Sequence, residues 1–427
     1  MNESRDEPII PADGRLITID ILRGLAILWV VVYHLWGLSA VGYRLLPAPR
    51  TYYERFWERL RDGDGLAAST AFTDLVFRLG NNGVTVFMIL SGISLTISAT
   101  RKRGAVSASQ FYALRLRKLL IPYWAGWAIY VATLAIVALY RVPADGGTFR
   151  HNFEYLGLIH QGDPHQLIAG LLIFPRVLEF NYLFAPAPAL WFVPLMLQYY
   201  LLFPVLQRLV ERMGPLAFAG AGFVVSVGFT AWLIWEYGSV GARGYYWGGL
   251  FPFRLFEFAI GMSIGYAMVT HPRVLRRAFA SAPALLALGA LGLGLHTWGS
   301  WLDARSGYWE SFGYPLLTAG FAALVLALVV VRPGVLLSSP PARLMAFVGT
   351  VSYTVLIVNE VFRHVNGYLI VQGHQWSAGW WWYIVVLYVP LTVVFAYPLA
   401  AVLGLLPASQ ARGREPTRGA TPPGAPP

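Results

Sequence analysis

The sequence contains no cysteine and few charged residues. Cysteine is absent from all 427 residues, which excludes disulfides, a cysteine acyl-enzyme and thiolate metal sites. Charged residues make up 12% of the chain and hydrophobic residues 57%, whereas a soluble domain carries about 25% charged residues. The composition therefore predicts an all-α, polytopic membrane protein, located in the cell membrane.

The formal net charge of +11 does not indicate a nucleic-acid partner. The basic residues lie between apolar spans instead of forming one soluble basic face. This pattern favours the anionic head groups of membrane lipids as the partners of the basic residues, which would also set the orientation of the protein in the membrane.

About ten membrane spans are predicted from the apolar runs. They cover 16–38, 83–99, 119–140, 190–210, 214–236, 248–270, 282–298, 313–332, 345–370 and 380–405. Both lysines and the densest arginine clusters fall on the side of the N-terminus, which favours cytoplasmic N- and C-termini. We expect one membrane domain over residues 1–405 and a disordered cytoplasmic tail over 406–427, which is rich in proline and glycine.

The first span carries ionisable residues within its apolar sequence. Asp20, Arg23 and His34 lie in this run, where each should cost a few kcal/mol unless it is paired or hydrated. Arg23 and His34 are eleven residues apart, so in a helix they share a face to within roughly 20° and are separated by roughly 16 Å along the axis. Asp20 precedes Arg23 by one turn and can pair with it.

Two interpretations of these residues remain open. Asp20 and Arg23 could be an ion pair at a helix end, with His34 a hydrogen-bonded packing residue. Within lipid, however, ionisable side chains usually serve function, and this favours a catalytic or binding role.

A basic cluster precedes the third span. It contains Arg115, Arg117 and Lys118, and the i,i+3 pair of Arg115 and Lys118 could hold the phosphates of a cytoplasmic ligand. The alternative is that the cluster only anchors the topology. The following loop also contains His151, but His160 and His165 have no helical register, so we expect no metal site there.

Later spans also contain polar residues. Arg254 and Glu257 can pair across one helical turn, and Asn359 and Glu360 lie within the ninth span. From span depth at about 1.5 Å per residue, His34, Glu257 and Asn359 all fall between the midplane and the outer surface. They could therefore face one cavity.

Six motifs resemble those of the acyltransferase 3 family of integral membrane acyltransferases. Asp20, Arg23, Ala26 and His34 are similar to its D-x-x-R-[GA]-x-A run with Arg-x10-His spacing. The other five lie in the segments 83–92, 111–124, 190–204, 253–261 and 351–360. Lys118 stands where the family has a second arginine, and Asn359 where it has a histidine.

The resemblance implies transfer of an acyl group, often acetyl, from acyl-CoA to a hydroxyl of a glycan, glycolipid or related lipid-linked acceptor. Acyl-CoA would be a co-substrate, with no tightly bound cofactor. His34 would be the general base, Arg23 with Asp20 would orient the donor, and Arg115, Arg117 and Lys118 would bind its phosphates. The candidates for lining the cavity and binding the acceptor are Trp191, Gln198, Arg254, Glu257, Asn359 and Glu360.

Two other functions compete with this one. A transporter or flippase without chemistry would also place polar residues in the membrane, although transporters commonly show internal repeats and we see none in this sequence. A binding subunit that has lost activity is a third possibility, because Met196-Leu197 and Asn359 depart from the family pattern.

Overall fold

A computed structural model describes residues 10, 16–40, 49–63, 65–101, 107–145, 147–156, 165–173, 187–246, 249–279, 281–303, 307–331, 339–366 and 383–406. Regular structure in these ranges is helical throughout, as predicted. The predicted disordered tail lies almost wholly outside the described residues.

The sixteen α-helices of the described residues are numbered in chain order. They are α1 Ile17–Ala40, α2 Pro49–Arg61, α3 Gly65–Arg78, α4 Gly83–Arg101, α5 Ala108–Asp145, α6 Phe149–Leu156, α7 His165–Leu172, α8 Phe192–Met213, α9 Pro215–Tyr246, α10 Leu255–Thr270, α11 Pro272–Ala278, α12 Ala282–Asp303, α13 Glu310–Val331, α14 Pro340–Thr350, α15 Ser352–Asn366 and α16 Val389–Val402. Short 3₁₀ turns cover Leu79–Asn82 and Pro188–Trp191, and a π-helical turn covers Tyr383–Tyr388.

Seven helical segments among the described residues are long and apolar enough to cross a membrane. The bent pair of α14 and α15 adds an eighth if it forms one span, and α10 and Val386–Val402 are shorter apolar helices. Each of the ten predicted spans overlaps one of these segments. The count of ten spans and the orientation stay predictions.

Two glycines allow helices α4 and α10 to pack closely. A Cβ on Gly261 would lie 2.2 Å from the carbonyl oxygen of Ile89, and one on Gly92 would lie 2.5 Å from that of Phe258. Helices α4 and α10 therefore touch backbone to backbone, as small residues allow within membranes. Gly92 and Gly261 are therefore packing residues between α4 and α10.

The start of α5 is fixed by a reciprocal cap. The Gln110 amide donates to Ser107 Oγ at 3.3 Å, and the Ser107 amide donates to Gln110 Oε1 at 3.1 Å. This capping box begins the helix just before the basic cluster, and so sets where Arg115 and Lys118 lie along it.

The predicted topology can be tested by cysteine labelling. Cysteine introduced at Ala108, an exposed residue, should react with a membrane-impermeant thiol reagent only after the inner face is opened, because positive segments stay inside. Glu58, exposed on α2, is the matched position for the outer face and its cysteine variant should react in intact cells. Since the chain has no native cysteine, labelling reports the introduced residue alone. Labelling at position 108 in intact cells would show that the predicted orientation is wrong.

Candidate active site

Arg23 on α1 is held by two partners. Its Nη1 lies 3.7 Å from Asp20 Oδ1, which is the predicted pairing one turn away. Its Nη2 donates to Ser94 Oγ on α4 at 3.0 Å, and Ser94 in turn donates to the Leu90 carbonyl at 2.7 Å. The guanidinium group is therefore oriented by two helices, although 27% of the side chain remains accessible.

A cavity of about 300 Å³ opens beside Arg23 and extends to His34. Its wall residues come from six regions of the chain. They are Arg23, Ile27, Val30 and His34 of α1; Val84, Phe87 and Ser91 of α4; Lys118 and Leu119 of α5; Ala189, Trp191, Phe192, Met196 and Tyr200 around the start of α8; and residues 349–354, Leu356 and Leu405. The size lies at the lower end of the range for small-molecule sites.

His34 contacts a polar residue on a distant helix. Its Nδ1 lies 3.2 Å from Asn359 Nδ2 on α15. Asn359 is also joined to Tyr388, whose hydroxyl donates to Asn359 Oδ1 at 2.8 Å. The structure thus brings Asn359 into contact with His34, but Asn359 is not a wall residue of the cavity, so the expectation that both would face it holds for His34 only. Tyr388 is a partner that the sequence did not indicate.

A broken span forms one wall of the cavity. Helices α14 and α15 meet at an angle of 76° at Val351. A Cβ on Gly349 would lie 1.8 Å from the Asp20 carbonyl oxygen, and one on Gly24 would lie 2.0 Å from the Met345 carbonyl oxygen. These two glycines bring the break against the turn of α1 that carries Arg23.

The basic cluster is divided by the structure. Lys118 is exposed and lines the cavity. Arg115 lies within electrostatic range of Arg23 and Tyr200, with its guanidinium 6.0 Å from the Phe111 ring centre. Arg117 is exposed and is not a wall residue. The spacing paired Arg115 with Lys118 on one helix face, and the structure places only Lys118 of this cluster in the cavity wall.

Arg254 and Glu257 form the buried ion pair that their spacing predicted. Arg254 Nη1 lies 3.1 Å and 3.2 Å from the two carboxylate oxygens of Glu257, which also accepts from Thr85 Oγ1 at 3.0 Å. The Arg254 guanidinium lies 5.0 Å from the Trp191 ring centre. Neither residue of the pair lines the cavity, so the expectation that Glu257 could face it is wrong. The pair instead contacts Trp191, which does line the cavity, through the Arg254 guanidinium.

Two further candidates also serve the framework. Gln198 donates to the Gly249 carbonyl at 2.7 Å and accepts from the Phe251 amide at 3.1 Å, so it holds the segment before α10. Glu360 pairs with Arg363 at 2.9 Å, and both are buried. Gln198 and Glu360 are not wall residues. An i,i+3 search would have found Arg363, whereas no sequence signal indicates Ser94 or Tyr388 as partners.

No group of three or more His, Cys, Asp or Glu residues in the described part of the chain is arranged to hold a metal ion. The polar side chains of the cavity wall comprise two basic groups, an imidazole, an indole and several hydroxyl groups: Arg23, Lys118, His34, Trp191, Ser91, Tyr200, Thr350, Ser352, Tyr353 and Thr354. This arrangement fits an anionic ligand and an acid–base reaction.

The apolar helices and this polar cavity define an integral membrane protein with an internal ligand site. The sequence profile of the acyltransferase 3 family, described as an acyltransferase domain, matches residues 16–401. The chain therefore belongs to this family, and acyl transfer is the general activity that membership indicates. Neither a curated protein nor a solved structure gave a significant match.

Proposed function

We propose that the protein transfers an acyl group, acetyl in the first instance, from acyl-CoA to a hydroxyl of a glycan, glycolipid or related acceptor. One observation carries the proposal: a single cavity joins the basic side chains of Arg23 and Lys118 to the imidazole of His34. Acyl transfer from acyl-CoA needs both features. A cationic region binds the phosphates of CoA, and a proton acceptor near the thioester carbonyl takes the proton of the attacking hydroxyl.

The proposed reaction assigns the proton at each stage. His34 takes the proton of the acceptor hydroxyl while that oxygen attacks the thioester carbonyl carbon. The tetrahedral intermediate then collapses, the carbon–sulfur bond breaks, and the CoA sulfur leaves as a thiol with the proton from His34. Imidazole suits both transfers because its ordinary pKa lies near neutral pH.

The helix break supports the charged intermediate in this proposal. Residues 352–354, the first turn of α15, line the cavity. Amide groups at a helix N-terminus and the positive end of its dipole favour negative charge. They could therefore stabilise the oxyanion or a phosphate, with Arg23 adding a fixed positive charge from the adjacent turn of α1.

Release of CoA by the purified protein tests the proposal. Because the chain has no cysteine, a thiol reagent added during incubation with acetyl-CoA detects only the thiol that the reaction releases. Thiol release, with water or an added hydroxyl compound as acceptor, supports an enzyme. Binding of acetyl-CoA without thiol release over a panel of hydroxyl acceptors would favour a binding subunit. Transport of a labelled glycolipid across vesicles without thiol release would favour the transporter.

Lys118 provides a sharper test of donor binding. Lys118→Ala should raise the apparent KM for the donor more than it lowers kcat, because a phosphate contact remote from the carbonyl contributes uniform binding. Lys118→Arg should preserve activity, since it keeps the charge. Arg208→Ala, at another exposed basic residue outside the cavity, is the matched control and should leave KM unchanged. An unchanged KM for Lys118→Ala would show that Lys118 is only a topology anchor.

A further inference from the structure

His34 is the first of three polar residues, from three separate elements, that are linked in a chain through Asn359 to Tyr388. Asn359 of α15 is 0% exposed, and Tyr388 of the π-helical turn is 1% exposed. The carboxamide of Asn359 lies between the imidazole, at 3.2 Å from Nδ1, and the Tyr388 hydroxyl, at 2.8 Å. A buried amide is costly unless its polar ends are bonded, and here each end has a partner on another element.

The contact with Nδ1 controls which proton-transfer role His34 can perform. A neutral imidazole carries one proton, so a base that acts through Nε2 must carry its proton on Nδ1. An oxygen acceptor beside Nδ1 favours this tautomer, whereas an N–H donor there favours the other tautomer, which cannot accept a proton at Nε2.

The carboxamide of Asn359 can place its oxygen beside Nδ1 by rotating in place, with no shift of the backbone. A half-turn of its plane exchanges Oδ1 and Nδ2, and these atoms are not distinguished by shape. Nδ2 would then donate to the Tyr388 hydroxyl, which lies 3.3 Å from the Asn359 backbone oxygen and can donate its own hydrogen there. Each group in this arrangement has a partner of the opposite kind.

We propose that Asn359 is the positioning residue for His34, accepting the Nδ1 proton, and that Tyr388 holds the carboxamide in that orientation. This inference rests on the proposed function, in which His34 is the base. It assigns Asn359 a role in catalysis through His34 and removes it from the residues that contact the acceptor. The substrate then meets His34 Nε2 only.

A neighbouring pair provides the matched control. The Tyr383 hydroxyl donates to Asn366 Oδ1, so the same two side-chain types join the same two elements, the π-helical turn and α15. Asn366 donates to the Phe362 carbonyl at 2.8 Å, a bond within its own helix. Substitution at this pair reproduces any general loosening of the two elements while leaving His34 with its partner.

Kinetics of thiol release test the assignment first. Asn359→Leu should lower kcat by about 100-fold and Tyr388→Phe by about 10-fold, in line with other partners that orient a histidine, and the donor KM should not change. Asn366→Leu and Tyr383→Phe should leave kcat near wild type. In a His34→Gln background, Asn359→Leu should add no further loss. Equal losses at both pairs, or an undiminished loss in the His34→Gln background, would overturn the proposal.

Asn359→Asp distinguishes the two orientations of the contact. A carboxylate offers only oxygen acceptors, so it can accept both the Nδ1 proton and the Tyr388 hydroxyl hydrogen. Its activity should lie closer to wild type than that of Asn359→Leu. A loss as large as for leucine would mean that a donor is required beside Nδ1, and the proposal would be wrong. Because leucine and aspartate are independent variants, one of them failing to fold leaves the other as the test.

Nitrogen-15 NMR of protein with labelled histidine determines the tautomer of His34 and does not depend on enzymatic activity. The His34 signals are assigned by their loss in His34→Gln, and in the wild type the proton should be found on Nδ1. In Asn359→Leu the Nε2-protonated form should increase. A wild-type proton on Nε2 would overturn the positioning role. If the tautomer behaves as expected while no thiol is released from acetyl-CoA, the proposed function fails and the positioning of His34 stands.

Discussion

His34→Gln is expected to lower acyl transfer per folded molecule by about 10²–10⁴-fold, the usual contribution of a general base. Glutamine reaches a similar distance and can hydrogen-bond to Asn359, but it cannot take a proton at neutral pH. The loss should therefore appear in kcat while the protein remains folded in the membrane. The measurement is thiol release from acetyl-CoA, normalised to the amount of monodisperse purified protein.

A second substitution separates catalysis from packing. His34→Ala should be as inactive as His34→Gln, with some loss of yield because a half-buried side chain is removed. His271→Gln, at an exposed histidine between α10 and α11, is the control and should behave like wild type. Near-wild-type turnover by the glutamine variant would show that His34 is a packing residue.

Gly349→Ala is expected to destabilise the protein by about 1–3 kcal/mol or more, the cost of overpacking. The added Cβ would lie 1.8 Å from the Asp20 carbonyl oxygen and 3.1 Å from the Gly24 amide nitrogen. These are backbone atoms, so the clash cannot be relieved by a side-chain rotation. Helices α1 and α14 must separate, and the helix break moves away from Arg23.

Thermal unfolding of the purified variant in detergent checks this prediction, with thiol release as a second readout. Gly228→Ala is the matched control, because Gly228 lies within α9 and nothing is within 4 Å of an added Cβ. Alanine favours a helix over glycine by about 1 kcal/mol, so the control should be neutral or slightly stabilising. A Gly349→Ala variant with unchanged unfolding temperature and activity would contradict the close packing of α1 on α14.

Local contacts of this protein could be read from spacing alone. The pairs Asp20–Arg23 and Arg254–Glu257 are each one helical turn apart, and the structure confirms both. Their geometry follows from the helical repeat, which holds wherever a helix forms. The common cavity of Arg23 and His34 follows in part from the same repeat, since eleven residues complete about three turns.

Contacts between distant segments could not be predicted from the spacing of residues along the sequence. Gln198 was a candidate for the acceptor site, yet its amide bonds to the backbone of residues 249 and 251. Glu257 shares its predicted depth with His34 but lies outside the cavity wall. Depth along a span follows from sequence, whereas the direction in which a side chain points depends on how the helices are rotated against one another.

The helical membrane class, the family and the positions of the charged residues along each span could all be predicted from the sequence. These follow from composition, from the length of apolar runs and from the helical repeat, which are properties of neighbouring residues. The tertiary structure was needed to show that Asn359 contacts His34 and is itself bonded to Tyr388, that Ser94 holds Arg23, and that the helix break at Val351 lies against α1. Such contacts arise because close packing at Gly24 and Gly349 fixes helices that are more than 300 residues apart in the chain.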